Sequence, residues 1–207
     1  MHSFPLVFMR LLVLVVAFTR CSPAELTEPD LMAYIQDPAN GLTQQQQVNG
    51  YNITVNYRPT DLLVAQHLGK TEYNQAMVDS LRNHYGQYYY FIVGLSRNNK
   101  EALYQMQQGF DSFSDMIRTL AFRMDQFTYL TLPEPDTIPV ADFIFPRTYG
   151  SGTATNLMFV FSRQKAGNTP WVNLNLQEFG LQTGHLQFRF KTNDLHQVPR
   201  LIFKPQP

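Results

Sequence analysis

The chain of 207 residues holds a single cysteine, Cys21, which excludes an intramolecular disulfide scaffold. It has no excess of either charge, with 16 Lys and Arg against 16 Asp and Glu. Such a balance gives no long-range field toward nucleic acid or an anionic membrane face, and no nucleic-acid partner is expected. Its apolar run Leu11 to Phe18 is eight residues long, far short of the roughly 20 that a membrane-spanning helix needs. Metal-site spacing is also missing. His67, His84, His185 and His196 stand singly, with no HExxH and no pair at ligand spacing, so each reads as a surface or capping histidine. Ser96 in "GLSRN" and Ser151 in "YGSGT" lack the second glycine of a nucleophile elbow at the right spacing, and no phosphate-cradling loop occurs. Neither a cofactor nor a metal is expected.

What is present is enough apolar material for a core. Hydrophobic residues make up 44% and aromatics 14%, the composition of a globular chain rather than a disordered one. No internal repeat and no linker divides it. Residues 1–20 behave as an export signal, with Arg10 and His2 as a weak positive start before the apolar run. Composition changes abruptly at Cys21. Ser22 and Pro23 follow, then Glu25, Glu28 and Asp30, so residues 21–30 read as a solvated tether and 31–207 as one domain. Without residues 1–20 the chain keeps 14 basic and 16 acidic side chains and is faintly acidic.

Cys21 has three readings: a lipid attachment point, a buried thiol or a nucleophile. A nucleophile needs a positioned base, which a tail does not offer. A cysteine at the end of such an apolar run resembles the lipobox of bacterial lipoproteins, whose thiol is diacylated, and two acyl chains anchor stably. The lipobox has a small residue directly before its cysteine, whereas Arg20 stands here. The alternative is cleavage near Cys21 or Ala24 to release a soluble periplasmic protein.

Alternation and caps outline an α+β domain. Asp30 can cap a short helix through Ile35, which "DPANGL" ends. Gln44 to Gln47 read as a polar connector, and Tyr51, Ile53, Val55 and Tyr57 alternate with polar residues as a half-buried strand. Thr60 and Thr71 can open helices that Gly69 and Gly86 close, and "YYYFIVGL" from Tyr88 suits a central strand covered on both faces. Leu103, Met106, Phe110, Phe113, Ile117, Leu120 and Met124 form one stripe at helical spacing, predicting one long helix over Lys100–Met124. From Phe127 onward strand signals recur up to Lys204, with "KAGNTP" and "FGLQTG" read as hairpin loops. The long helix would lie on an antiparallel sheet whose other face, bearing Asn173, Asn175 and Gln177, is wet.

Few residues suggest chemistry. Asp111 and Asp115 lie one turn apart, with Arg118 a turn beyond Asp115; a solvated face with an ion pair outweighs an acid–base pair. Asn52-Ile53-Thr54 matches a glycosylation acceptor but falls within a strand of a chain with a bacterial signal. Tyrosines such as Tyr88 to Tyr90 and Tyr149 suit an interface if exposed, and a core if not.

"YIQDPANGL", "YRPTDLLVAQHLG" and "FGLQTG", in this order after a signal and a cysteine, resemble uncharacterised lipoproteins of the Bacteroidota. The resemblance implies a lipid-anchored outer-membrane or periplasmic protein with no assigned reaction. Only Glu25 follows Cys21 closely, unlike the acidic cluster of surface-exported members, which implies a periplasm-facing position. Two functions follow as expectations. One is a non-catalytic envelope lipoprotein, held to the membrane by its anchor, that binds an envelope protein or a small ligand. The other is a periplasmic hydrolase using Asp111 and Asp115 with His67 or His84.

Overall fold

In the computed structural model of the protein the described residues are 25–105, 110–134 and 136–204. Strand β1 (Glu25–Leu26) leads into helix α1 (Glu28–Gln36). Its cap is Thr27 rather than Asp30. The Thr27 hydroxyl donates to the Asp30 carboxylate at 2.6 Å and accepts the Asp30 N–H at 3.4 Å, a reciprocal cap that starts the helix earlier than expected. A 3-10 turn at Pro38–Asn40 then ends at Gly41, with φ +68°. That φ strains any residue with a Cβ, and a Cβ there would also have to push the Asp194 carboxylate aside.

Strands β2 (Thr43–Val48) and β3 (Tyr51–Tyr57) form a hairpin. Asn49 and Gly50 both take positive φ, 50° and 78°, as a two-residue I′ turn requires. That turn sets the register, so Gln44 to Gln47 are strand and not the connector expected. Helix α2 (Thr60–Leu68) follows, then α3 (Gln75–Tyr85), opened by the Asn74 side chain accepting the Met77 N–H at 3.0 Å, not by Thr71. Strand β4 (Tyr88–Arg97) turns back through Asn98 and Asn99, both at positive φ, into β5 (Lys100–Glu101). The helix expected from Lys100 is therefore broken: a 3-10 turn covers Ala102–Gln105, α4 spans Phe110–Phe122, and another 3-10 turn covers Met124–Gln126.

The remaining elements are β6 (Thr128–Thr131), β7 (Thr137–Pro139), β8 (Asp142–Ile144), β9 (Thr155–Ser162), α5 (Arg163–Ala166), β10 (Trp171–Leu176), β11 (Leu186–Lys191), α6 (Thr192–His196) and β12 (Arg200–Leu201). One sheet has the order β2-β3-β4-β9-β8, with β5 paired to β4, and a second has the order β11-β10-β6-β7. All their pairings are antiparallel. The architecture is α+β, as expected. "KAGNTP" is not a hairpin loop, because β9 and β10 belong to different sheets and α5 carries the chain between them. Glu25 and Leu26 are not solvated tether either: β1 pairs in parallel with β12.

The core lies between the two sheets. Ile53, Val55 and Tyr57 of β3, Tyr89, Phe91, Val93 and Leu95 of β4, and Leu157, Phe159 and Phe161 of β9 face Val172, Leu174 and Leu176 of β10 and Leu186, Phe188 and Phe190 of β11. The Phe91 and Phe190 rings meet at 4.9 Å. Helix α4 adds Met116 and Leu120 to this core, with Phe113 and Ile117 partly buried against it. The sheet thus packs chiefly on a second sheet, not on a long helix. Nor is the outer face of β10 wet throughout. Asn175 is fully buried, its carboxamide taking His185 and Gln187 as donors and giving N–H bonds to Thr131 and the Asn173 carbonyl.

Two polar devices hold the periphery. Asp61 on α2 meets Arg82 on α3 through two bonds of 2.7 and 2.8 Å and accepts the Leu201 N–H of β12 at 2.8 Å. The pair is largely buried, and removing one partner would strand the other charge. Glu178 organises "FGLQTG" by accepting the N–H groups of Gly180, Gln182 and Gly184 at 2.6 to 2.9 Å. Burial works to raise its pKa, but these backbone bonds outweigh it and hold the carboxyl below the usual range.

Asp61→Ala and Arg82→Ala should each lower stability by about 3 kcal/mol, with the double variant far from additive, as urea unfolding would measure. Glu178 ionises more readily folded than unfolded, so its stabilisation is present above the ordinary carboxylate range and fades as pH falls through the lowered folded value. Glu178→Gln should therefore melt lower than wild type at neutral pH, with the gap closing in acid; a gap independent of pH would refute this.

Candidate functional site

Strand alternation sends Tyr89 and Phe91 inward and Tyr88 and Tyr90 outward, so "YYYF" serves both faces of its sheet. On the outer face Tyr90 and Val160 pack with Leu63 of α2, while Tyr85, Tyr88 and Met158 lean on that cluster. Helices α2 and α3 pair through Val64, Leu68 and Val78. Their C-terminal turns then stand beside the sheet with the outer ends of β8 and β9 opposite, and a groove of about 520 Å³ runs between them.

Its walls are mainly apolar and aromatic: Leu63, Tyr85, Tyr88, Tyr90, Ile144, Met158 and Val160. Gln66, His67, His84 and Asp142 supply polar groups. Tyr85 is the hinge of the aromatic set. Its hydroxyl lies 2.8 Å from His67 Nδ1, and its ring meets His84 at 5.1 Å, His67 at 6.0 Å and Tyr90 at 6.2 Å, all edge to face. Burial, then the neighbouring phenols of Tyr85 and Tyr88, push Tyr90 up to about 12, so it is a neutral hydrogen-bonding phenol at any ordinary pH. The Asp142 carboxylate turns back to accept the Phe143 N–H at 2.8 Å.

The structure joins some sequence candidates and separates others. His67 and His84 share the groove, each in the last turn of its helix. Asp111 and Asp115 lie on α4 and do not line it; the Asp115 carboxylate pairs with Arg118 at 3.2 Å, both well exposed. His185 bonds Asn175 in the second sheet, and His196 Nε2 lies 2.8 Å from the Tyr89 hydroxyl. Ser96 and Ser151 donate to the backbone carbonyls of Asn52 and Thr148. Tyr149 is 72% exposed beneath the Arg147 guanidinium, outside the groove. Cys21 and the export signal lie outside the described residues. Among the described residues no three His, Cys, Asp or Glu side chains converge as a metal set, and no helix is long and apolar enough to cross a membrane.

Tyr85, Asp142, Ile144 and Met158 were not anticipated. One signal was available. His67 and His84 each stand two residues before a helix-ending glycine, Gly69 and Gly86, which gives them the same station on two adjacent helices.

No family model matches the chain, and no curated protein matches it. Among solved structures it is similar to a novel protein of unknown function from Burkholderia pseudomallei K96243, at 8% identity and a TM-score of 0.37, over 82% of this chain and 86% of that one. A likeness of that degree carries no argument about fold or function.

Proposed function

We propose that this chain is a non-catalytic, lipid-anchored cell-envelope protein of the Bacteroidota lipoprotein type, and that it binds an apolar or aromatic group of a ligand or envelope partner in the groove between α2, α3 and the outer sheet face. The observation that carries the binding reading is the groove itself. Its volume suits a small ligand or a few side chains, its walls are chiefly apolar and aromatic, and a few polar groups stand among them to fix orientation. Tyrosine offers large contact area at little conformational cost, which is why binding surfaces favour it.

A hydrolase would use His67, His84 and Asp142 of the same walls, but the groups are spent differently. Tyr85 occupies His67 Nδ1, and the Asp142 carboxylate is turned to its own backbone. A general base must reach the proton that it removes, and a triad needs its third group on the base. The arrangement supports holding a ligand better than transforming one.

The anchor reading rests on Cys21 at the end of the apolar run. Because β1 begins at Glu25, the stretch from Cys21 reaches at most about 14 Å, so a lipidated chain would keep the β1 and β12 side of the domain close to the bilayer. The domain would face the periplasm from the outer membrane.

Intact mass of protein purified from its native membrane should show a diacylglyceryl adduct on a chain beginning at Cys21. Cys21→Ala should lose the adduct and membrane retention together, and an unmodified wild-type chain in the soluble fraction would sink the anchor. For the groove, a photo-crosslinking amino acid in place of Tyr88 should capture a defined envelope component or small molecule in cells, while the same group in place of the exposed Tyr149 should not. Equal or absent capture at both positions would overturn the binding reading.

A further inference from the structure

On the other side of α3's C-terminal turn lies a second cavity, about 240 Å³, with a different chemistry. It is lined by Tyr57 of β3, Asp61 of α2, Arg82 of α3, Arg163 of α5, His196 of α6 and Arg200 of β12, among others. Three arginines and a histidine thus face one carboxylate. That carboxylate is already committed, since Asp61 takes both bonds from Arg82 and the Leu201 N–H. Among the described residues the cavity's other two arginines, Arg163 and Arg200, have no ion-pair partner.

Arg163 is the central one. Among the described residues it has no ion-pair partner, and one of its N–H groups reaches the Gly86 carbonyl at a long 3.4 Å. Its guanidinium lies over the Tyr89 ring at 5.4 Å, which orients the fork but leaves most of its donors unspent. Arg163 also lines a neighbouring polar trough of about 540 Å³ with Gln87, Ser162, Gln164 and Asn168, so it is reachable from solvent. The Tyr89 hydroxyl is tied to His196, which leaves the other ring nitrogen of His196 for a ligand.

Tyr57 provides an independent observation. Its side chain is 3% exposed, yet its hydroxyl has no hydrogen-bond partner among the described residues, and it lines this cavity. A hydroxyl at a cavity wall with no protein partner is free to donate to a ligand there. A phenol donor and a guanidinium without a carboxylate on one cavity wall suit the same ligand group.

We propose that this cavity binds a small oxyanion, the phosphate or carboxylate group of a ligand, through the Arg163 guanidinium and the Tyr57 hydroxyl, with His196 and Arg200 at its rim. The planar fork of arginine matches both groups, and a charge-assisted pair in a recess is less screened than one at the surface. The site is separate from the aromatic groove and does not depend on the groove's ligand.

The test is calorimetric titration of the full mature protein, in low-salt buffer, with inorganic phosphate and, separately, with acetate. Saturable binding of at least one anion is expected, roughly tenfold weaker in Arg163→Gln and in Tyr57→Phe and unchanged in Arg118→Gln, whose arginine is already paired at the surface. Binding of phosphate alone would assign a phosphoryl ligand, and binding of both a general oxyanion site. Tyr57→Phe removes only the unpartnered hydroxyl, so without anion it should melt no lower than wild type, and added anion should raise its melting temperature less. Absence of saturable binding with either anion, or affinity unaltered in both variants, would overturn the proposal.

Discussion

The periphery of this domain depends on the carboxylate of Asp61. A charge taken out of water must be met by geometry as well as by opposite charge, and here two guanidinium bonds and one backbone N–H meet it. Those three bonds join elements far apart in sequence. Arg82 brings α3 against α2, and Leu201 brings in β12, which in turn pairs with β1. Phe203 lies under the Arg82 guanidinium at 5.1 Å, so the C-terminal segment is held on the same group. The two ends of the described chain are thereby fixed beside the helix pair.

Both cavities are products of that clamp. With α2 and α3 held together, their C-terminal turns stand beside the sheet, and Gly86 closes α3 by donating its N–H to the Arg82 carbonyl at 2.8 Å. On one side of that turn Tyr85, His67 and His84 meet the outward tyrosines of β4; on the other, Tyr57, Arg163 and His196 surround the committed Asp61. One side is aromatic and the other basic because β4 alternates. Tyr88 and Tyr90 point outward to the groove, while Tyr89 points inward and carries His196 and Arg163 on its hydroxyl and ring.

Local rules made several elements legible. The alternation of Tyr51 to Tyr57 and the doubly apolar run from Tyr88 were read as strands, and "FGLQTG" does join β10 to β11. Errors arose where turn chemistry overrode composition. Asn49-Gly50 and Asn98-Asn99 both supply the positive φ of a two-residue hairpin, which made strand of the glutamine run and broke the expected helix near Lys100. The wet face assigned to β10 was wrong at Asn173 and Asn175 because the neighbouring strand's Gln187 and Arg189 reach across to bond them. The site was less legible than the fold. His67, His84 and the tyrosines were noted as candidates, but nothing in their spacing tied them to Met158 or Ile144.

Sequence alone determined what acts over a few residues: the abrupt change at Cys21, the α+β alternation, the helix-ending glycines and the apolar face of each alternating strand. These depend on backbone propensity and on the period of side chains along one element. Tertiary structure decided what depends on contacts across the chain. It paired β1 with β12, set one sheet against the other, separated Asp111 and Asp115 from the histidines, and brought Tyr57 and Arg163 to the wall of one recess. Whether a polar side chain is satisfied or waiting for a ligand is a property of its neighbours in space, and those neighbours come from strands and helices that the sequence holds far apart.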